Sequence, residues 1–113
     1  MSKFSFEDIG AVTATFAADQ GVEGGQVVKV TANSTVGACA DGDDFCGVAR
    51  EPRKGAAAVQ VKGFVTVSCT GSLTLGWTAL AADGKGGVKA APSGGVTALV
   101  VSVGSDGSAV ICL

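Results

Sequence analysis

Histidine and tyrosine are absent from this 113-residue sequence, and its aromatic residues are five phenylalanines and one tryptophan. Without histidine the chain lacks the side chain that most often acts as a general base or metal ligand near neutral pH. Its aspartates fall mainly in predicted turns, where this residue commonly bonds its own backbone. These residues are Asp19, Asp41, Asp43, Asp44, Asp83 and Asp106. We therefore expect neither an enzyme nor a metal or cofactor site.

Three features come close to known functional motifs but lack their defining parts. Residues 41–44 (Asp-Gly-Asp-Asp) resemble part of a calcium loop, without its ligand spacing or its distal bidentate glutamate. Residues 84–87 (Gly-Lys-Gly-Gly) lack the Lys-Ser/Thr ending and the following helix of a phosphate loop. Lys62 falls in the middle of a predicted strand, whereas a lipoyl-type lysine would lie at a hairpin tip. None of the three predicts a site.

The four cysteines, Cys39, Cys46, Cys69 and Cys112, have long and irregular spacing, with no Cys-x-x-Cys pair. This spacing, in a chain without histidine, argues against a zinc site. Cys39 and Cys46 flank a predicted tight turn, so a disulfide between them stays open. With no export signal in the sequence we favour reduced thiols, and we expect all four side chains to act as small buried hydrophobic groups.

The net charge is −2, from eight basic and ten acidic residues. The tightest basic group consists of Arg50, Arg53 and Lys54, and it includes Glu51. Phosphate binding depends on clustered lysine and arginine, so this group predicts a charged loop and no nucleic-acid partner.

The mean hydropathy is high, at +0.46, although no apolar run approaches the ~18 residues that span a bilayer. Residues 1–8 also lack the apolar stretch of a signal peptide. We expect a protein that is made in the cytoplasm and has no membrane partner. High hydropathy without a membrane segment indicates that neighbouring molecules cover some of its apolar surface.

The strongest structural signal is alternation with a period of two. Val59, Val61, Val65 and Val67 share one parity of residues 58–69, and polar residues occupy most of the other. This alternation predicts a long β-strand and argues against an amphipathic helix. Gly63 in its centre predicts a bend.

The rest of the chain predicts short strands at intervals of roughly 8–12 residues, which is typical of all-β domains. The predicted strands are residues 11–16, 26–30, 35–40, 45–49, 76–80, 88–90, 97–103 and 108–113. Glycine-rich turns predict three hairpins, around residues 41–44, 83–87 and 104–107. A helical turn over residues 75–82 is a weaker alternative. We therefore predict an all-β fold, a small β-barrel or compact β-sandwich of about eight short strands, in one domain over residues 11–113.

Residues 1–10 predict an extended N-terminal arm. Phe4 and Phe6 alternate with Ser5 and Glu7, so the two aromatic side chains share one side of an extended segment. Two interpretations stay open: a frayed terminus, or an arm that docks on a neighbouring molecule.

Trp77 follows a glycine and is the chain's only indole. Such a residue is more often a plug in the core or a subunit contact than a platform for a ligand. A carbohydrate-binding or small-ligand module would need several aromatic side chains converging on a concave site.

From residue 22 to residue 103 the order of glycines and valines resembles that of the capsid decoration (cement) proteins of tailed phages, the lambda-like head-decoration family and its prophage relatives. The segments that carry the resemblance are residues 45–49 (Phe-Cys-Gly-Val-Ala), Gly55, residues 58–67 (Ala-Val-Gln-Val-Lys-Gly-Phe-Val-Thr-Val), residues 76–80 (Gly-Trp-Thr-Ala-Leu) and residues 83–88 (Asp-Gly-Lys-Gly-Gly-Val). This chain differs from the best-known members in its four cysteines and few prolines.

The resemblance implies a virion protein that binds the outer surface of a phage capsid, often as a trimer, and stabilises the shell by bridging major capsid protein subunits. It also implies that the N-terminal arm reaches the major capsid protein, frequently by adding to a sheet edge. The arm residues expected to bind are Lys3, Phe4, Ser5, Phe6 and Glu7, and Trp77 is expected at a subunit contact. The alternatives are a tail or fibre module of the virion, and a small carbohydrate- or ligand-binding β domain.

Overall fold

The structure is a computed structural model, and it describes residues 10–113. This part of the chain is all-β: it forms ten strands and no helix. The strands are β1 (Val12–Ala18), β2 (Val27–Ala32), β3 (Thr35–Ala38), β4 (Gly47–Ala49), β5 (Ala56–Lys62), β6 (Phe64–Ser68), β7 (Gly76–Ala82), β8 (Val88–Ala90), β9 (Val96–Val103) and β10 (Ser108–Cys112). The predicted all-β class is confirmed, with ten strands instead of about eight. The helical turn considered over residues 75–82 is wrong, since most of that segment is β7.

The ten strands divide into two sheets along the chain. The first five form a closed barrel in the order β1-β3-β2-β4-β5, in which only the β1–β3 pair is parallel. The last five form an antiparallel sheet in the order β6-β10-β9-β7-β8. An isolated bridge between Cys69 and Val88 brings the ends of its two edge strands together. Barrel closure and this bridge limit the length of unpaired sheet edge.

Gly63 joins the two sheets. The strand predicted over residues 58–69 is two strands, β5 in the barrel and β6 in the second sheet, so the predicted bend at Gly63 is confirmed. Gly63 has a φ of 100°, in the left-handed region that disfavours side chains. A Cβ atom at this position would lie 2.8 Å from the Cα of Ala11. The chain therefore changes sheets where only glycine fits the backbone.

Two of the three predicted hairpins are confirmed, and the third is wrong. β7 pairs with β8 and β9 pairs with β10, both antiparallel. The predicted partners around residues 41–44 do not pair with each other, because β2 lies between β3 and β4. Instead of closing a hairpin, Asp43 accepts hydrogen bonds from Lys29 Nζ on β2 (2.6 Å) and from the Ala40 N–H (2.9 Å). Residues 39–46 therefore cross from β3 to β4 past β2, and the hydrogen bond between Lys29 and Asp43 holds them against β2.

The buried side chains form two clusters, mostly of valine and alanine. One cluster lies inside the barrel and includes Val28, Val36 and Val59. The larger cluster joins Phe45 and its barrel neighbours to the inner face of the second sheet, where Ile111 is fully buried. The larger cluster therefore packs the barrel against the second sheet.

All four cysteines are free and only half-buried. Cys39 and Cys69 pack beside the larger cluster, and Cys46 packs beside the barrel cluster. The expectation of buried cysteines is thus too strong, since three of the thiols lie at the margin of a core cluster and Cys112 belongs to neither cluster.

Alanine substitutions at Gly63 and Gly21 provide a matched test of the close packing at the bend between β5 and β6. Both have φ near 100°, but the space beside Gly21 is open. Alanine in this conformation costs roughly 1–2 kcal/mol, and at Gly63 it also meets backbone atoms that cannot move aside easily. We expect Gly21→Ala to lower the free energy of unfolding by about 1 kcal/mol and Gly63→Ala by about 3 kcal/mol. Urea unfolding curves measure both, and equal losses would contradict the packing argument.

Candidate interaction surface

A row of four side chains crosses the outer face of the second sheet. Trp77 on β7 pairs with Leu99 on β9, Leu99 with Cys112 on β10, and Cys112 with Phe64 on β6. Directly opposed residues of antiparallel strands point to the same face. The adjacent row contains the buried Val100 and Ile111, so that row points inward and the Trp77 row points outward. We call these four residues, Phe64, Cys112, Leu99 and Trp77, the Trp77 row.

Trp77 is the most exposed large apolar side chain of residues 10–113, with 74% of its surface accessible. The other three members of the row are half-buried, and Leu75, two residues before Trp77, is 62% exposed. Isolated exposed apolar residues are common, whereas contiguous ones mark interaction sites. Because most of the Trp77 side chain is accessible, the alternative that Trp77 fills the core is wrong. Its role as a subunit contact stays a prediction.

A second feature is a groove of about 290 Å³ between the barrel and β6. Its barrel side consists of Gly24, Gly25, residues 48–51 and Gln60, and its other side consists of residues 64–66 on β6. Gln60 is buried, and its Nε2 donates to the carbonyl oxygens of Lys62 (3.1 Å) and Phe64 (2.9 Å). Phe64 belongs both to the groove and to the Trp77 row, so the two surfaces meet at this side chain.

Asp83 holds a turn in place. Its carboxylate accepts hydrogen bonds from the Thr70 hydroxyl (2.7 Å) and from the backbone N–H groups of Lys85 (2.7 Å) and Gly87 (3.0 Å). Burial opposes ionisation of this carboxyl group, but the three hydrogen bonds outweigh burial and hold its pKa below the usual value. Asp83 thereby connects the β7–β8 turn to Thr70, in the segment that follows β6.

The remaining ionisable contacts also stabilise loops. The hydrogen bond from Lys29 and the one from the Ala40 N–H lower the pKa of Asp43. Burial, followed by the nearby charge of Asp43, raises the pKa of Cys39 to about 11, so this thiol is protonated at neutral pH and is a poor nucleophile. Within residues 10–113, no three histidine, cysteine, aspartate or glutamate side chains are placed to hold a metal ion. The hydrogen bonds of Asp43 and Asp83 therefore stabilise loops.

Of the site residues predicted from the sequence, Trp77 lies on the outer sheet face. The predicted arm residues Lys3, Phe4, Ser5, Phe6 and Glu7 lie outside the described residues.

Sequence reasoning did not find Leu99, Cys112 or the groove. The predicted β9–β10 hairpin was a partial signal for Leu99 and Cys112, because it puts their strands side by side. A register shift between Val110 and Ile111 then sets the two residues opposite each other. The pairing of β10 with β6, which adds Phe64 to the row, joins residues far apart in sequence.

No model of a known protein family matches this sequence, and neither does any curated protein. Residues 10–113 contain no helix long and apolar enough to cross a membrane.

Substituting asparagine for Asp83 tests whether the negative charge of its carboxylate stabilises the fold. Because the folded pKa is below the unfolded value of about 3.9, the charge stabilises the fold above that value, and this contribution is lost as pH falls through the folded pKa. We expect Asp83→Asn to lower the free energy of unfolding at pH 7 by about 1–3 kcal/mol. The difference from the wild type should shrink below about pH 4.

Urea unfolding between pH 2 and pH 7 measures this difference. Thr70→Val removes one of the three hydrogen bonds, so it should give a smaller loss and a higher Asp83 pKa. A difference between the wild type and Asp83→Asn that is constant over the whole pH range would contradict the assignment.

Proposed function

We propose that this protein is a structural virion protein that binds the outer surface of a phage capsid and stabilises the shell by bridging major capsid protein subunits. The observation that carries the proposal is the Trp77 row, an apolar row on the outer face of the second sheet in which Trp77 is 74% exposed and the other three side chains are half-buried. The resemblance over residues 22–103 supplies the capsid as the partner.

The physical argument starts from Trp77. Its indole is largely accessible, and burying such a side chain against a partner removes a large apolar area from water. Tryptophan is also one of the residues that most often dominate the energy of protein interfaces. If several copies, such as a trimer, engage one shell together, modest single contacts combine into strong attachment.

The N-terminal segment provides a second proposed contact. The alternation of Phe4 and Phe6 with polar residues in the sequence is the pattern needed to add a strand to a sheet edge of the major capsid protein. Lys3, Ser5 and Glu7 complete this proposed arm. Contacts through both the arm and the Trp77 row would let one molecule bridge neighbouring shell subunits.

The groove favours a second candidate, a module that binds a small ligand or a carbohydrate. Its volume of about 290 Å³ is near the lower end of the range for ligand pockets. Among residues 10–113, Phe64 is the one aromatic residue that lines it, so the stacking surface that these residues offer a sugar is small. A glycan screen with clear hits that are lost in Phe64→Ala would favour this function over the first.

Removing the indole tests the proposed contact with the shell. We expect Trp77→Ala to weaken binding to empty mature shells, assembled from the major capsid protein of the same genome, by about 30-fold, which corresponds to a loss of about 2 kcal/mol. Co-sedimentation measures the affinity, and a blue shift of Trp77 fluorescence on binding would report burial of the indole.

Val30→Ala is the matched control, because Val30 is 57% exposed but lies on the barrel strand β2. It should bind the shells like the wild type, and neither substitution should change the free energy of unfolding by more than about 0.5 kcal/mol. Equal binding by the wild type and Trp77→Ala would remove the Trp77 row from the contact. A wild-type protein that does not bind the shells would overturn the proposed function.

A further inference from the structure

One side of β1 has no neighbouring strand along most of its length. β1 pairs with β5 from Val12 to Ala17, whereas β3 on its other side pairs only with Ala17 and Ala18. The Ala18 N–H donates to the Gly55 carbonyl oxygen on the β5 side, and the Ala17 N–H donates to the Ser34 carbonyl oxygen on the β3 side (both 2.8 Å). Because backbone groups alternate in direction along a strand, the even residues of β1 face β5 and the odd residues face the other side.

Thr13 and Thr15 therefore direct their backbone N–H and C=O groups to the open side of β1. In the part of the chain that the structure describes, no group pairs with them there. The chain just before β1 lies on the β5 side, since a Cβ on Gly63 would be 3.0 Å from the Gly10 carbonyl oxygen and 2.8 Å from the Ala11 Cα. Residues 10 and 11 thus leave the open edge uncovered.

This edge lacks the charges and the proline by which proteins usually prevent strand addition. Residues 11–18 (Ala-Val-Thr-Ala-Thr-Phe-Ala-Ala) include no charged residue and no proline. The four residues 12–15 are exposed, and Val12 is 53% accessible. An exposed, uncharged and partly apolar strand edge is a template for pairing with another strand.

The order of residues in β1 makes the strand complementary to a second copy of itself. In an antiparallel pair around a twofold axis, residue i of one copy faces residue j of the other, and j faces i. Placing Thr13 opposite Thr15 of the second copy uses both open residues of each strand, and each such pair exchanges two backbone hydrogen bonds. The axis then passes between the two Ala14 residues, and Val12 faces Phe16.

Each of these opposed pairs suits close contact. Thr–Thr pairs and pairs of an aromatic with a β-branched residue are favourable across strands. The central pair is one that exchanges no hydrogen bonds, so its Cα atoms lie about 4.5 Å apart, and the small Ala14 side chain fits there. Any charged residue at the axis would face the same charge in its copy, and β1 has none. Charge and side-chain size therefore favour a second copy as the occupant of this edge.

We propose that two copies of this chain pair through β1 around a twofold axis, with Thr13 opposite Thr15, and join their barrels through one continuous sheet. The contact involves about five residues per copy, whereas a standard interface has roughly 20–30 per side. We therefore expect a dissociation constant of about 0.1–1 mM. The proposal goes beyond the proposed function and does not rest on it, because β1 lies in the barrel and the Trp77 row lies in the second sheet.

Exchange of amide hydrogens with water, measured by NMR on the full-length protein, tests the paired edge. We expect the Thr13 and Thr15 amides to exchange about two- to fourfold more slowly at about 2 mM than at about 50 µM protein, because mass action fills the edge. The Ala14 and Phe16 amides face β5, so their exchange should not depend on concentration. Exchange of Thr13 and Thr15 that is equally slow at both concentrations would mean that the edge is covered within one molecule, and would overturn the proposal.

A charge at the twofold axis tests the register. We expect Ala14→Lys alone and Ala14→Glu alone to stay monomeric at about 2 mM, because each variant places two like charges opposite each other. An equimolar mixture of the two should associate at least as tightly as the wild type. Sedimentation equilibrium measures all three samples. Ala90→Lys, at an exposed position of β8 in the second sheet, is the matched control and should associate like the wild type.

Urea unfolding of the two Ala14 variants checks that they fold like the wild type, as expected for an exposed position. A wild-type protein that stays monomeric at about 2 mM would overturn the proposal. Association that persists in Ala14→Lys would show that the copies meet elsewhere, and would overturn it as well. Neither result changes the expected binding to shells, which is measured with the Trp77 variant.

Discussion

The fold depends on one close approach of backbone to backbone at Gly63. The chain leaves the barrel there and enters the second sheet, while Ala11 lies against its Cα and Leu113 exchanges hydrogen bonds with it. The start of β1, the end of β10 and the β5–β6 corner therefore meet at a single residue. Because the core on either side consists mainly of valine and alanine, its two halves have little side-chain bulk with which to absorb a shift of this corner.

The sequence predicted those parts of the fold whose signals are local. Alternation over residues 58–69 identified β5 and β6, and the central glycine identified the corner between them. The β7–β8 and β9–β10 hairpins were predicted because their turns lie directly between the paired strands. The turn at residues 41–44 has a similar local signal but a different outcome, because β2 takes the position between β3 and β4. A turn motif cannot reveal that an earlier strand will insert between its two flanks.

The candidate surface was predictable to a smaller extent, for a similar reason. Leu99 and Cys112 belong to a predicted hairpin, but a register shift between Val110 and Ile111 decides that they oppose each other. Trp77 was singled out from the sequence as the only indole. Whether Trp77 faces the core or solvent depends on which face of the second sheet the barrel covers. The barrel is formed by an earlier part of the chain, so the sequence around Trp77 does not reveal this. Phe64 joins the row through the β6–β10 pairing, which a local pattern does not report. Of the four members of the row, the sequence thus identified Trp77, whereas tertiary pairing brought the other three beside it.

Phe64 links the two surfaces, because it ends the Trp77 row and lines the groove. A segment that fills the groove also covers this end of the row, and a partner that binds the whole row must contact that segment or displace it. A ligand in the groove and a partner on the row would therefore compete at Phe64, so that each would lower the observed affinity for the other.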